Sequence, residues 1–213
     1  MVRDVRMRGF ADRADLEEVE DFLGEHVRRL PSEEVPLLEC MGRVLAEEIQ
    51  SEVNVPGFPR SAMDGYALRG EESFGASDYD AIRFKLMGTA LPGSPYSGRV
   101  ESGQAVRIMT GAPLPDGADV VVMAEVCRED EAGTTVYVSE AAPPKKNVGA
   151  VGEDIREGDL LLRAGRRIRP QDAGVLSSIG KASVSCVRRP RVRLLVTGDE
   201  LLPAGQTPRG AQI

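Results

Sequence analysis

One proline-bracketed run, Pro56-Gly57-Phe58-Pro59-Arg60-Ser61-Ala62-Met63-Asp64-Gly65-Tyr66-Ala67-Leu68, constrains this chain more than any other segment. Pro56 and Pro59 restrict φ on the way in. Gly65 is expected to supply the positive φ of a tight turn, and Tyr66-Ala67-Leu68 resumes an extended apolar run. Asp64 therefore rides on a turn between a stiffened loop and a strand. Its carboxylate is presented rather than buried.

Composition narrows the setting of that carboxylate. The 213 residues suit one or two cores plus a remnant, and 23 Gly with 14 Pro imply many turns. A 41% hydrophobic share supports a packed core. The net charge of −7 argues against a nucleic-acid or anionic-membrane surface. No apolar run is long enough to span a bilayer, and Met1 to Arg6 lacks the apolar centre of a signal peptide, so a cytoplasmic address is expected. Cys40, Cys127 and Cys186 are odd in number and set in apolar patterns, so they read as core residues and not as a disulfide or zinc framework. The single histidine, His26, falls on a helix among charged neighbours. Chemistry here must rest on carboxylates, hydroxyls and backbone amides.

The patterning predicts an α+β chain. Asp15 to Leu30 reads as a helix with Asp15 at its N-cap, the stripe Leu16, Val19, Leu23, Val27 and Leu30, and Pro31 as its stop. A second helix is predicted near Leu38 to Glu48. Short strands follow at Gly65–Arg69, Ile82–Met87, Gln104–Ile108, Asp119–Glu125 and Thr134–Ser139, with a hairpin turn at Asp130 to Gly133 between the last two. Beyond a linker at Ala141 to Lys146 come a glycine-punctuated strand region, a helix from Pro170 to before Gly180, and a strand at Ala182–Val187. Arg191 to Glu200 reads as a first strand running into the glycine turn of an α/β domain. With thirteen residues after it, the chain is expected to be the front of a longer protein.

Four segments join glycine to a carboxylate or hydroxyl: Ser61 to Ala67, Met109 to Pro113, Gly152-Glu153-Asp154 and Thr197-Gly198-Asp199-Glu200. Singly, each is equally a turn or a surface loop. Together, separated carboxylates on rigid turns suit Mg²⁺, which takes one or two protein carboxylates and completes its shell with water and phosphate. A threonine hydroxyl and loop amides add donors for an oxyanion. The expected substrate is phosphorylated or oxyanionic.

In order and spacing, Pro59 to Ala67, Gly103 to Pro115, Gly117 to Val122, Gly152 to Ile155 and Thr197 to Leu201 closely resemble the molybdopterin molybdenumtransferases, the family of bacterial MoeA and the gephyrin E domain. That resemblance implies a homodimer and insertion of molybdate into adenylylated molybdopterin with loss of AMP, aided by Mg²⁺. It implies a split first domain (10–50 plus 150–188, for dimerisation), a β-rich inserted second domain (51–149) and, at 190–213, the truncated start of an α/β pterin-binding third domain. The cleft would lie between the third domain of one subunit and the second domain of its partner. Residue by residue, the resemblance marks Asp64, Thr110, Asp154 and Glu200 as catalytic. Asp64 and Asp154 would place metal or molybdate, Thr110 would donate to an oxyanion, and Glu200 would act near the pterin. Ser61, Gly198 and Asp199 would serve loop geometry and substrate contact. The family commonly has arginine where this chain has Gly149, so that cationic substrate contact would be either missing or taken over by Lys145 or Lys146. Ending before the family's Asp-Ser-Asn segment, the fragment alone is expected to be inactive. Two other readings stay open: a non-catalytic dimerisation or scaffold module, and an unrelated Mg²⁺-dependent phosphohydrolase.

Overall fold

The computed structural model describes residues 14–213. The Met1 to Arg6 start and the first positions of the 10–50 segment lie outside the described residues. In chain order the elements begin with α1 (Leu16–His26), β1 (Ser32–Pro36), β2 (Val44–Leu45), β3 (Ile49–Gln50), β4 (Arg60–Ser61) and β5 (Gly65–Leu68). They continue through β6 (Ile82–Ala90), β7 (Gln104–Ile108), β8 (Val120–Met123), β9 (Cys127–Glu129) and β10 (Thr135–Val138). The last are β11 (Val148–Gly149), β12 (Leu160–Leu162), α2 (Pro170–Ser178) and β13 (Ser183–Val187). The chain is thus a mixed α/β protein with few helices and much short strand. No helix among the described residues is long and apolar enough to cross a membrane.

Six strands form one sheet in the order β8-β5-β7-β6-β10-β9, antiparallel except where β6 and β7 run parallel. Side-chain alternation buries both faces: Tyr66, Leu68, Ala105, Val120, Val122, Val136 and Val138 pack on one, and Ala67, Val106, Ile108 and Val121 on the other. The outer strands β8 and β9 are joined by a single 3₁₀ turn, Ala124–Val126, so the sheet curls until its edges approach. A second core gathers Val35, Cys40, Leu45 and Ile49 with Leu162, Ile168, Leu176, Val184 and Cys186. Residues from either side of the 51–149 segment therefore share one interior. β13 lies between β1 and β2, and β12 pairs with β3. Cys40 and Cys186 are buried there as free thiols, and Cys127 is half-buried, where burial pushes its thiol up to about 12.

Several expectations need correction. The helix predicted over Leu38 to Glu48 is absent; the segment is a 3₁₀ turn, Leu37–Glu39, followed by β2 and β3. Gly42 turns at φ 75°, and pairing of β2 with β13 and of β3 with β12 outweighs a weak helical spacing that leaves Leu38 and Met41 exposed. The hairpin at Asp130 to Gly133 joins β9 to β10, so the strand before it is Cys127–Glu129 and not the run that ends in β8. Asp130 Oδ1 accepts from the amides of Thr134 (2.8 Å) and Thr135 (3.2 Å), closing that turn. α1 stops at His26, short of Pro31; Val27 is already extended, and the Arg29 guanidinium bonds the Ala46 carbonyl instead. None of the residues of α1 is buried. Arg191 to Gly198 forms no strand and pairs with nothing among the described residues, and Asp199-Glu200 turn, with Val192, Leu194, Leu195 and Val196 each at least 77% exposed. A strand acquires stability only beside neighbours.

Asp172 anchors the second core. Arg166 forks onto it through Nε (3.0 Å) and Nη2 (2.8 Å), and the Arg169 amide caps it at 2.9 Å. Against the opposing effect of burial, the Arg166 guanidinium first and the Arg169 amide next hold this carboxyl at about 2. A folded pKa below the unfolded value stabilises above the unfolded pKa and ceases to do so as pH falls through the folded one. Asp172→Asn is expected to cost about 2 kcal/mol near neutrality, with the gap to wild type closing between about pH 4 and pH 2 in urea unfolding.

Candidate functional site

Asp64 is exposed at the rim of the curled sheet, two residues before Tyr66 and on the same face. The residue after it is the reason the rim has this shape. Gly65 does not have positive φ, contrary to the sequence reading; it is the buried first residue of β5, paired with Met123 and Ile108. A Cβ there would lie 1.9 Å from the Val122 carbonyl oxygen. The glycine is needed for close approach of β5 to β8, not for a turn.

Both donors of Thr110 converge on one oxygen: its amide and its hydroxyl each lie 2.7 Å from Asp64 Oδ1. The amide contact first, then the hydroxyl, lower the Asp64 pKa below the ordinary carboxylate value. Oδ2 accepts no hydrogen bond among the described residues, so an ionised oxygen stays available. Backbone bonds lock the two loops together, with Ser61 N to Ala112 O at 2.9 Å and Gly111 N to Ser61 O at 2.8 Å. Ser61 itself is buried, and its hydroxyl donates to the Met63 carbonyl, so it shapes the Asp64 loop.

Beside Asp64 opens a cavity of about 360 Å³, lined also by Tyr66, Arg107, Met109 and Glu129. Tyr66 and Arg107 are cross-strand partners whose side chains meet Glu129 of β9: the phenol donates to Oε1 at 2.6 Å, and the guanidinium contacts both carboxylate oxygens. This triad bridges the curl and is the part of the site that sequence reasoning missed. Burial first, and the Glu129 carboxylate next, push the Tyr66 phenol up to about 12, so it remains a donor at neutral pH. Arg107 offsets Glu129, which leaves Asp64 as the uncompensated charge of the cavity.

Asp154 lies apart from this cavity. It is exposed on the turn after β11, and its Oδ2 accepts from Arg60 Nη2 at 3.1 Å. The 55–64 segment links it to Asp64, because Asp154 N bonds Val55 O (3.0 Å) and Gly152 N bonds Pro56 O (2.9 Å). Glu200, Asp199 and Gly198 are exposed in the unpaired stretch, Gly198 at φ 149°. The structure thus brings Asp64, Thr110 and Ser61 together, ties Asp154 to them through one backbone segment, and leaves 198–200 outside. No group of three or more His, Cys, Asp or Glu among the described residues could hold a metal. Lys146 pairs with Glu140 at 2.6 Å, and Lys145 takes φ 70° beside Val148 and Gly149.

Two substitutions test this geometry. Thr110→Val removes the hydroxyl donor and keeps the amide, so the Asp64 carboxyl should titrate at higher pH in an NMR titration, though still below an unpaired aspartate. Gly65→Ala should lower unfolding free energy by roughly 2–4 kcal/mol through forced separation of β5 and β8, read by denaturant melts.

The comparisons with known proteins converge. The family model for the MoeA N-terminal region (domain I and II) matches residues 14–180. The chain is 39% identical over 183 residues to a molybdopterin molybdenumtransferase of Haemophilus influenzae, covering 85% of this chain and 44% of that one. With the enzyme of the same name from Staphylococcus epidermidis it shares 37% over 186 residues, or 87% and 44% of the two chains. A crystal structure of a molybdopterin biosynthesis MoeA protein from Pyrococcus horikoshii superposes with a TM-score of 0.81 at 33% identity, covering 95% of this chain and 51% of that chain. The chain thus spans about half the length of the relatives it matches, and it belongs to the MoeA family through that family's N-terminal region.

Proposed function

We propose that this chain supplies the N-terminal part of a molybdopterin molybdenumtransferase, which inserts molybdate into adenylylated molybdopterin and releases AMP. The observation that carries the reading is the Asp64–Thr110 pair, an exposed carboxylate kept ionised by two donors at the rim of a cavity. Residues 10–50 and 150–188 form the split first domain, 51–149 the inserted second, and 190–213 the opening of the pterin-binding third. The exposed apolar residues of α1 (Leu16, Val19, Phe22, Leu23) and the exposed 192–196 run favour further association. The assembly is a cytoplasmic homodimer, with a cleft between the third domain of one subunit and the second of its partner.

Mg²⁺ fits the donors present. Asp64 Oδ2 and the second oxygen of Asp154 are free of hydrogen bonds among the described residues, and this ion accepts a shell made mostly of water and substrate oxygen. Asp64 would hold it at the cavity, Asp154 would offer its free oxygen from outside that cavity, and the ion would screen the negative charges that converge when a phosphoryl group and molybdate meet. Thr110 keeps Asp64 deprotonated and aimed, and the Tyr66–Arg107–Glu129 triad holds the cavity wall rigid behind it. Glu200 acts from the third-domain side.

The test is molybdate-dependent AMP release from adenylylated molybdopterin by the longer protein that contains this chain. Asp64→Asn and Glu200→Gln should each lower turnover by roughly 100-fold. Unchanged turnover in both would overturn the site assignment.

A further inference from the structure

Arg60 and Gly149 are direct antiparallel partners on β4 and β11, so their side-chain positions share one face. Only one of the two carries a side chain. Gly149 is buried, yet it lacks the left-handed φ that would require glycine for the backbone's sake. Its requirement is space: a Cβ at 149 would stand 2.8 Å from both carboxylate oxygens of Glu153. Glu153 lies over that bare position because Arg60 draws it there, Nε reaching Oε1 at 3.0 Å and Nη2 at 2.5 Å. The same Nη2 reaches Asp154 Oδ2 at 3.1 Å. One guanidinium thus clamps two adjacent carboxylates on a turn whose main chain is already tied, through the amides of Gly152 and Asp154, to the carbonyls of Pro56 and Val55, a few residues upstream of Arg60.

The charges do not cancel. Glu153 takes two of the three bonds and is neutralised, whereas Asp154 keeps one shared bond and one free oxygen. We infer that Arg60 is a positioning residue for Asp154, aiming its free oxygen and shielding it from Glu153, and that Gly149 is the cavity this clamp needs. The inference rests on the reading that Asp154 serves the molybdate-insertion reaction. An arginine placed at 149 would project from the opposite strand onto the same carboxylates. The atoms nearest a Cβ there belong to the flexible end of Glu153, which can yield once Arg60 no longer holds it.

The experiment uses the longer protein that contains this chain and reads kcat and KM for molybdate-dependent AMP release. Asp154→Asn comes first: unchanged turnover overturns the underlying reading of Asp154. If turnover falls, Arg60→Met should lower kcat about tenfold or more, and Arg60→Lys should restore part of it. The decisive variant is Arg60→Met combined with Gly149→Arg, which should return kcat to within about threefold of wild type by supplying the cation from across the ladder. An impaired Asp154→Asn alongside a fully active Arg60→Met overturns the inference. So does a double variant with no recovery, whether or not Arg60→Met also lowers thermal stability.

Discussion

The backbone of residues 55–64 is the constraint on which the candidate site depends. On one side it bonds the 109–114 loop, through Ser61, Gly111 and Leu114; on the other it bonds 147–155, through Ala62, Gly152 and Asp154. Asp64, Thr110 and Asp154 lie far apart in sequence and answer to one rail. Proline at 56 and 59 stiffens the rail without costing these bonds, because the neighbouring residues donate and the proline carbonyls accept from Gly152 and Leu114.

Two carboxylates on that rail are stabilised by different means. Asp64 is held by uncharged donors, which keep it ionised and leave its charge uncompensated for a cation. Asp154 is held by a guanidinium that also serves Glu153, which fixes its direction. Dipoles position and polarise, while a shared cation orients and screens. In the proposed reaction molybdate and the adenylylated substrate both bring negative charge, and the proposed metal ion would reconcile the carboxylates with that cargo.

Strands of the curled sheet were legible because their apolar, β-branched runs exceed what a turn tolerates: Gln104–Ile108 and Val120–Met123 stand where their composition places them. The Leu38 to Glu48 segment was not legible, since its apolar spacing suits a helix as well as two short strands and only pairing with β12 and β13 decides. β9 is three residues long, too short to stand out beside its hairpin turn. Asp64 and Thr110 could be singled out from their glycine-rich motifs, whereas Arg60 and Glu153, 93 positions apart, carry no mutual signal.

Sequence by itself determined which residue types are available at which turns: a carboxylate after a proline-stiffened loop, a threonine before a glycine, and a family membership written in ordered motifs. Those are local properties of φ, hydropathy and side-chain chemistry. Only the tertiary structure decided that Gly65 is there for the Val122 carbonyl, that Thr110 grips Asp64, that Glu129 closes the curl, and that Gly149 makes room for a clamp. Each of these is a contact between strands or loops remote in sequence. Its energy depends on approach distances of a few tenths of an ångström, which a one-dimensional pattern does not encode.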